Sequence, residues 1–510
     1  MVQDNFETNI IKWYPFKTKQ RILQIGENSK ITNELQVKFE EEVIVIENLN
    51  EIDYNEKFDY ILIYGYENKY KIPNNISSVL NENGKLLIIG NNDFGINNWS
   101  KYNDIIKFEN HNKEMISIEK IKEELTKGSL TELKVFYAFP NYKESEIIIN
   151  EKLKIEKNYI EKYCPEITEK DLKIFDERSV LKNIISNNPK MTEFFINSYF
   201  IEASKNETET QVNLASFNNW RKKQYRLITI IENEFVKKIP ATEEAKLQIE
   251  NMKKTIKDVK DCGINILDYE ENGVIYSKFI KEHKTLDEVL NENYDNLDKV
   301  VEILNELKEI LLKNTIDISQ CKTKIDTKGQ EPEKIKKLHF MKKAFWDMVP
   351  KNCFYIDNKY EFFDQEWEKE FLPVEFIIYR AIVNSYDLVR RINVDILLEK
   401  LDILEFKEYF QKIDEEIRNE IIDKEIYNEM YKKNIKSIDN LINEKKIDEE
   451  TIKFLKEDNK NKQKYISELE EDNKNKQNYI EALEDERKRN NEYIEKLESK
   501  KNLKNFWKGK

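Results

Sequence analysis

Residues 346–367 read WDMVPKNCFYIDNKYEFFDQEW, and the fold of the larger part of the chain turns on this stretch. Asp347 and Asn352 lie five positions apart. The Asp357-Asn358 step marks a tight turn between two short strands. Asp364 follows the second of them. Taken singly, each polar residue has a plain explanation: Asp347 caps a turn, Asn352 holds a loop, Asp364 satisfies backbone amides at a strand end. Their joint spacing is what asks for a chemical reading.

Upstream, four short apolar stretches predict strands: SYFIEAS (198–204), VNLASF (212–217), RLITIIE (226–232) and NEFVKKIP (233–240), with a turn at Glu232-Asn233. ATEEAKLQIENMKKTI (241–256) carries apolar residues at helical spacing. GVIYSKFIKEHKTLDEVL (273–290) reads as a strand, a link and a helix. Strands, one helix, a hinge and then mostly helices is the order of an α+β kinase-like fold. The D-x-x-x-x-N spacing of Asp347 and Asn352 resembles the kinase catalytic loop. Phosphoryl transfer needs one carboxylate to take the proton of the attacking hydroxyl, and an amide oxygen with a second carboxylate to hold Mg against ATP. The resemblance therefore implies Asp347 as base, Asn352 and Asp364 as metal ligands, and Lys238 of VKKIP as the strand lysine that meets phosphates. A glutamate paired with that lysine is expected from the next helix, with Glu250 preferred over Glu243 or Glu244.

LPVEFIIYRAI (372–382), together with FFD-x-E-W, resembles the kinase-like half of bacterial methyltransferase–kinase fusions that act on surface polysaccharides of the O-antigen type, and AFPNYKESEIII (138–149) resembles the segment that bridges the two halves in that family. The resemblance spans roughly residues 8–445. Three departures bear on activity. No glycine occurs between Gly128 and Gly263, so no Gly-rich loop covers the phosphates. Phe345-Trp346 replace the usual His-Arg, and Gln365-Glu366 replace Phe-Gly. About five residues separate Asp364 from a helix expected near Phe371, too few for a peptide-docking loop. That favours a small or sugar-like hydroxyl as acceptor.

Before this module, RILQIG (21–26), VIVIE (43–47), FDYILIYG (58–65) and GKLLIIG (84–90) are strands apolar throughout. Such strands are buried on both faces and predict a parallel, Rossmann-like α/β sheet. IIKWYPF (10–16), FDYILIYG and LNENGKLLIIGNNDFGINNW (80–99) resemble class I S-adenosylmethionine methyltransferases. The resemblance implies cofactor contacts at Gly26 and at Glu47, whose carboxylate would accept the ribose hydroxyls. Against this, the turn GENSK (26–30) keeps one glycine, and Asn28 and Lys30 stand where small residues are needed. The ten residues 48–57 are too few for a helix and a further strand. The domain is expected to be a degenerate relic that does not bind S-adenosylmethionine.

The 85 Lys+Arg against 98 Asp+Glu give a net charge of −13, which argues against nucleic acid as partner. Four separated cysteines and three histidines give no CxxC pair and no histidine-rich metal centre. The N-terminus has no signal-peptide pattern, and no run of eighteen apolar residues occurs. A cytoplasmic protein is expected.

The tail is periodic. EDNKNKQKYISELE, EDNKNKQNYIEALE and DERKRNNEYIEKLE are copies of a fourteen-residue unit. Ile452, Ile466, Ile480 and Ile494, with Leu455, Leu469, Leu483 and Leu497, fall on a and d of a coiled coil. Asn459 and Asn473 fall on intervening a positions, Lys462 and Lys476 on d. The seam predicts a homo-oligomer, or docking of a glycosyltransferase. KKNLKNFWKGK (500–510) has five lysines and no acid, suited to the inner face of an anionic membrane.

The expected organisation is 1–145 methyltransferase-like, 146–175 linker, 176–445 kinase-like (N-lobe 176–283, C-lobe 284–445), 446–499 coiled coil and 500–510 basic tail. The expected function is phosphotransfer to a glycan, lipid-linked glycan or small-molecule hydroxyl. The alternatives are a non-catalytic scaffold that recruits a glycosyltransferase, and a working methyltransferase.

Overall fold

The computed structural model describes residues 6–39, 43–67, 71–100, 115–153, 175, 177–207, 210–280, 282–320, 325–357, 359–431 and 438–507. They form two compact units, 1–435 and 436–510.

The first unit is organised by one sheet of twelve strands. In chain order these are β1 Ile22–Ile25, β2 Ile44–Ile46, β3 Phe58–Tyr66, β4 Leu80–Asn91, β5 Glu132–Phe139, β6 Ile147–Asn150, β7 Ser198–Ser204, β8 Leu214–Phe217, β9 Leu227–Ile231, β10 Phe235–Pro240, β11 Tyr269–Glu271 and β12 Val274–Lys278. Their spatial order is β11-β12-β10-β9-β8-β6-β5-β7-β4-β3-β1-β2. The apolar runs of the sequence become β1 to β4, paired in parallel as their double-sided burial requires. Alternation splits their side chains between two cores. Ile61, Ile63, Leu86 and Ile88 face one layer, and Tyr60, Leu62, Leu87 and Ile89 the other. Only a 3₁₀ turn, Leu49–Glu51, lies between β2 and β3, so β2 is the edge of the sheet.

The expected boundary at residue 145 is not a boundary. SYFIEAS, read as the first strand of the kinase-like lobe, is β7 and lies antiparallel between β4 and β5. The expected linker contains β6, which pairs with β5 on one side and with β8 on the other. Through Ile147↔Ser216, Ile148↔Ala215 and Ile149↔Leu214 the sheet continues from β6 into the antiparallel strands β8 to β12. Gly90 of β4 permits the close approach of β7: a Cβ there would lie 2.8 Å from the Tyr199 hydroxyl and 2.9 Å from the Tyr66 carbonyl. The segment 9–16, which contains IIKWYPF, ties the two parts from outside the sheet. Trp13 packs on Phe136 and Phe200, Asn9 donates to Asn219 Oδ1 at 2.9 Å, and Lys12 donates to the Ala241 carbonyl at 2.9 Å.

The antiparallel half carries the helix Lys246–Asp261, whose Ile249, Met252 and Ile256 cover Leu227 and Ile275. Beyond it lies a largely helical region with its own core, built on the helices Leu297–Leu312, Val374–Val383 and Lys407–Ile421. Five short strands serve it: β13 Thr315–Ile316, β14 Phe340–Ala344, β15 Cys353–Ile356, β16 Lys359–Phe362 and β17 Lys369–Pro373. β15 and β16 form the expected hairpin, and its connection opens with Asp357 at φ +49°. The helix expected near Phe371 begins at Val374, because β17 comes first and pairs with β14.

The second unit is a single helix, Ile438–Trp507, of 70 residues, about 105 Å long at 1.5 Å per residue. Its heptad Ile and Leu side chains are roughly half exposed along its length. The side chains of residues 502–510, including Leu503, Phe506 and Trp507 of the basic tail, lie outside the described residues. Among the described residues no helix is long and apolar enough to cross a membrane.

Candidate active site

Lys238 sits in mid-strand on β10, flanked by Thr229 of β9 and Ile275 of β12, and is buried. It forms ion pairs with Asp364 and Glu366. Burial alone would lower its pKa, but the two carboxylates outweigh that and hold it well above the usual lysine value. Glu366 also pairs with Arg221. Burial opposes its ionisation, but Arg221 and Lys238 together keep its carboxyl well below the usual range. Two cations and two anions thus close a neutral network. Buried charge tolerates no less, since removing one member leaves another uncompensated.

The loop carrying Asp347 is fixed against the same network through its backbone. Asn352 Nδ2 donates to the Asp347 carbonyl at 3.1 Å, and Gln365 Nε2 donates to that same carbonyl at 3.3 Å. The Phe363 N–H donates to the Asn352 carbonyl at 3.0 Å. Trp346 and Trp367 stack with centroids 5.7 Å apart. The Arg380 guanidinium lies 4.6 Å from the Trp346 ring centroid and its Nε donates to the Trp346 carbonyl at 3.0 Å. Asp364 adopts φ +60°, a conformation uncommon for a residue with a Cβ and found where local geometry serves a site.

The Asp347 residue is half-buried. Burial, with the like charges of Asp364 and Glu366, pushes its carboxyl pKa up to about 6 against the opposing pull of Lys351 and Arg380. Asp268 joins the cluster on the side of Asp364 and Lys238. It accepts from Ser277 and, at 3.1 Å, from the Gln365 N–H, and burial raises it to about 6. A poised carboxylate, a fixed ammonium and a second carboxylate within one cluster can accept a proton and hold an anionic phosphate chain.

Lys238, Asp347, Asn352 and Asp364 are therefore brought together. Glu250 is not: it lies on the exposed face of its helix. The inward face of that helix presents Gln248, two residues and about 200° away, and Gln248 donates to the Glu366 carbonyl at 3.1 Å. The carboxylate paired with the lysine comes instead from Glu366, on the segment after Asp364. The spacing analysis also missed Arg221 and Asp268. The loop 218–226, NNWRKKQYR, stands where a Gly-rich loop would, between β8 and β9, and is basic. It is pinned to the end of the helix Lys407–Ile421: Lys222 N–H donates to the Ile421 carbonyl at 2.9 Å and Asp423 N–H to the Trp220 carbonyl at 3.0 Å. The density of cations in that glycine-free turn was the one signal the sequence offered for Arg221.

The Rossmann-like end is arranged differently. Gly26 ends β1 at φ +88°, and the helix Ser29–Lys38 follows. In doubly wound sheets a ligand sits at the carboxyl ends of the strands, on such a helix N-terminus. Here the chain fills that place itself. Asn28 caps the helix, accepting from Lys30 N at 3.1 Å and Ile31 N at 3.2 Å. The Glu7 carboxylate accepts from Asn28 at 2.8 Å and from Tyr64 at 2.6 Å, and lies 3.4 Å from Lys30 Nζ. Burial would raise Glu7, but these three hydrogen bonds outweigh it and keep the carboxyl below its ordinary value. Glu47 is exposed just past the edge strand β2, and its N–H approaches Glu51. This arrangement does not fit S-adenosylmethionine.

No family model matches the chain, and no curated protein matches it. Among solved structures it resembles two classes. A Haemonchus contortus phosphoethanolamine N-methyltransferase 2, solved with phosphomonomethylethanolamine and S-adenosylhomocysteine, matches at 17% identity over 39% of this chain with a TM-score of 0.24. That match takes in 52% of the Haemonchus enzyme, about half its length. A Thermotoga maritima SAM-dependent methyltransferase matches at 13% identity over 39% of this chain and 88% of its own, TM-score 0.22. The streptomycin–ATP ternary complex of APH(2″)-IIa matches at 14% identity over 41% of this chain and 88% of its own, TM-score 0.25. The overlaps are local, and the geometry of the two ends carries the reading that follows.

Proposed function

We propose that the chain is an ATP-dependent phosphotransferase, and that its methyltransferase-like half is structural. The observation that carries this is the convergence of Lys238 from β10, Asp347 and Asn352 from one loop, and Asp364 from the segment after β16. Lys238 meets the nucleotide phosphates. Asp347, with a pKa of about 6, is ionised at neutral pH and takes the proton of the acceptor hydroxyl. Asn352 has its amide nitrogen committed to the Asp347 carbonyl and offers its oxygen, with the Asp364 carboxylate, to magnesium. Oxygen donors of this kind suit a hard cation. Among the described residues no group of three His, Cys, Asp or Glu is placed to hold a metal alone; magnesium characteristically shares such a site with substrate phosphates. When bound, it neutralises charge on the triphosphate.

The segment 365–368 between Asp364 and β17 has four residues, which leaves no room for a peptide-docking loop. A small or sugar hydroxyl is the acceptor this favours. The resemblance to surface-polysaccharide fusions makes it a glycan, free or lipid-linked, at the cytoplasmic face of the membrane. The heptads of 446–499 join copies of the chain or recruit a glycosyltransferase, and 500–510 touches anionic lipid. Light scattering on an Ile466→Lys/Ile480→Lys variant tests self-association, which the variant should abolish.

A scaffold without activity is the second reading, favoured by the pinned, glycine-free loop 218–226. Thermal unfolding separates the two. Magnesium and ATP at a hundredfold excess over Kd stabilise by about 2.7 kcal/mol, a shift of a few degrees that Asp364→Asn should remove. No shift at millimolar ATP sinks the enzyme reading.

A further inference from the structure

The helix Ile438–Trp507 leaves its apolar seam uncovered: from Ile452 to Leu497 the heptad Ile and Leu side chains are 44–56% exposed. By sequence the seam also takes in Ile438 and Leu441. Five Ile/Leu pairs therefore recur every fourteen residues, from Ile438/Leu441 to Ile494/Leu497, with Ile466/Leu469 in the middle. We infer that a second copy of the chain covers this seam, running antiparallel about a two-fold axis midway between Ile466 and Leu469. The inference rests on the self-association reading of the heptads, in place of a recruited glycosyltransferase, and is independent of phosphoryl transfer.

The polar layers of the seam carry the argument. In an antiparallel pair each a position faces a d position of the other helix, and the two-fold axis makes every contact occur twice. Turned about Ile466/Leu469, each seam Ile meets a Leu of the second copy; Ile452, for one, meets Leu483. Between these apolar layers Lys445 meets Asn490, Asp448 meets Arg487, Asn459 meets Lys476 and Lys462 meets Asn473 of the second copy. No charge faces its like, and the one acid of the seam faces an arginine. Lys462 and Lys476 are also paired within their own helix, with Asp458 at 2.8 Å and Asp472 at 2.6 Å, so neither brings a bare charge to the seam.

Other pairings of the same residues fit worse. Parallel and in register, Lys445, Asp448, Lys462, Lys476 and Arg487 would each face its own counterpart, and like charges set together at an interface suppress that pairing. An antiparallel slide of seven residues sets Ile466 and Leu469 against Lys and Asn. A slide of fourteen leaves one Ile/Leu pair of each copy uncovered and sets Lys462 against Arg487, or Lys445 against Lys476. The seam thus specifies one partner, one direction and one register, which is what Asn and Lys within a seam provide at a cost in stability. The paired length, 438–497, is about 90 Å at 1.5 Å per residue.

The test uses the full chain with cysteines placed in the seam. The wild-type chain, oxidised alongside, is the reference for Cys164, Cys262, Cys321 and Cys353. Ile452→Cys and Leu483→Cys are made singly and co-expressed. Under mild oxidation the co-expressed pair should give a covalent dimer that neither variant gives alone. In sedimentation equilibrium Asp448→Arg should weaken the dimer roughly tenfold or more, and adding Arg487→Asp should restore it. A wild-type chain that stays monomeric at tens of micromolar overturns the self-association reading and the inference with it. A dimer that cross-links in Ile452→Cys or Leu483→Cys alone is parallel, and overturns the inference while the reading stands. So does a dimer that cross-links in neither the single variants nor the pair, an assembly larger than two, or an Asp448→Arg/Arg487→Asp chain that binds no tighter than Asp448→Arg.

Discussion

The two ends of the twelve-stranded sheet answer the same structural question in opposite ways. At the Rossmann-like end, the helix N-terminus that could receive a ligand is taken by Asn28 and Glu7. At the antiparallel end, Lys238, Asp364 and Glu366 gather mutual charge around a lysine that the sheet holds rigidly. A site filled by its own neutralised side chains is a packing solution. A cluster of buried ion pairs that raises a neighbouring carboxyl to about 6 is a candidate for chemistry. The β6–β8 pairing joins the two ends of the sheet.

The largest effect that can break this comparison is on turnover. Asp347→Asn removes the proton acceptor and should lower phosphotransfer by roughly 10²–10⁴-fold, the usual worth of general-base catalysis, with little change in ATP binding measured by calorimetry. In the wild-type chain, kcat/KM for phosphotransfer should rise through an apparent pKa of about 6 as Asp347 ionises. Next is stability. Lys238→Met strands Asp364 and Glu366 without their shared cation, and should cost about 3–5 kcal/mol in denaturant unfolding; a cost below about 1 kcal/mol would mean the network is not closed as described. The third effect is on pH dependence. The pKa of Asp268 is raised in the folded state to about 6 from an ordinary 3.8. Its contribution to stability is therefore full below about pH 4 and lost as pH rises through about 6. Asp268→Asn should flatten the stability profile across that window. The smallest effect sits at the other end of the sheet. Asn28→Ala loses a helix cap worth about 1 kcal/mol and should leave the ATP response untouched.

Much of this was legible in the sequence, for identifiable reasons. β1 to β4 are apolar on both faces, and such runs have few other fates. The Asp347–Asn352–Asp364 spacing is local, so the hairpin between Asn352 and Asp364 could be read from Asp357-Asn358. What escaped was non-local. Nothing in SYFIEAS says that it pairs with β4 and β5 rather than with the strand that follows it, so the module boundary was misread. Glu250 and Gln248 differ by two positions on one helix, and only the packing of Ile249, Met252 and Ile256 decides which faces inward, where Gln248 meets the Glu366 carbonyl. Glu366 was visible as a departure from the usual Phe-Gly, but that a residue after the metal-binding position would supply the lysine's partner required the fold. Asp268 gave no signal at all.

The most direct test of the central claim is a pair of calorimetric titrations on the same preparation, one with ATP and magnesium and one with S-adenosylmethionine. The account predicts a saturable heat for the first, lost in Asp364→Asn, and none for the second. Binding of S-adenosylmethionine, or silence toward ATP, would contradict it.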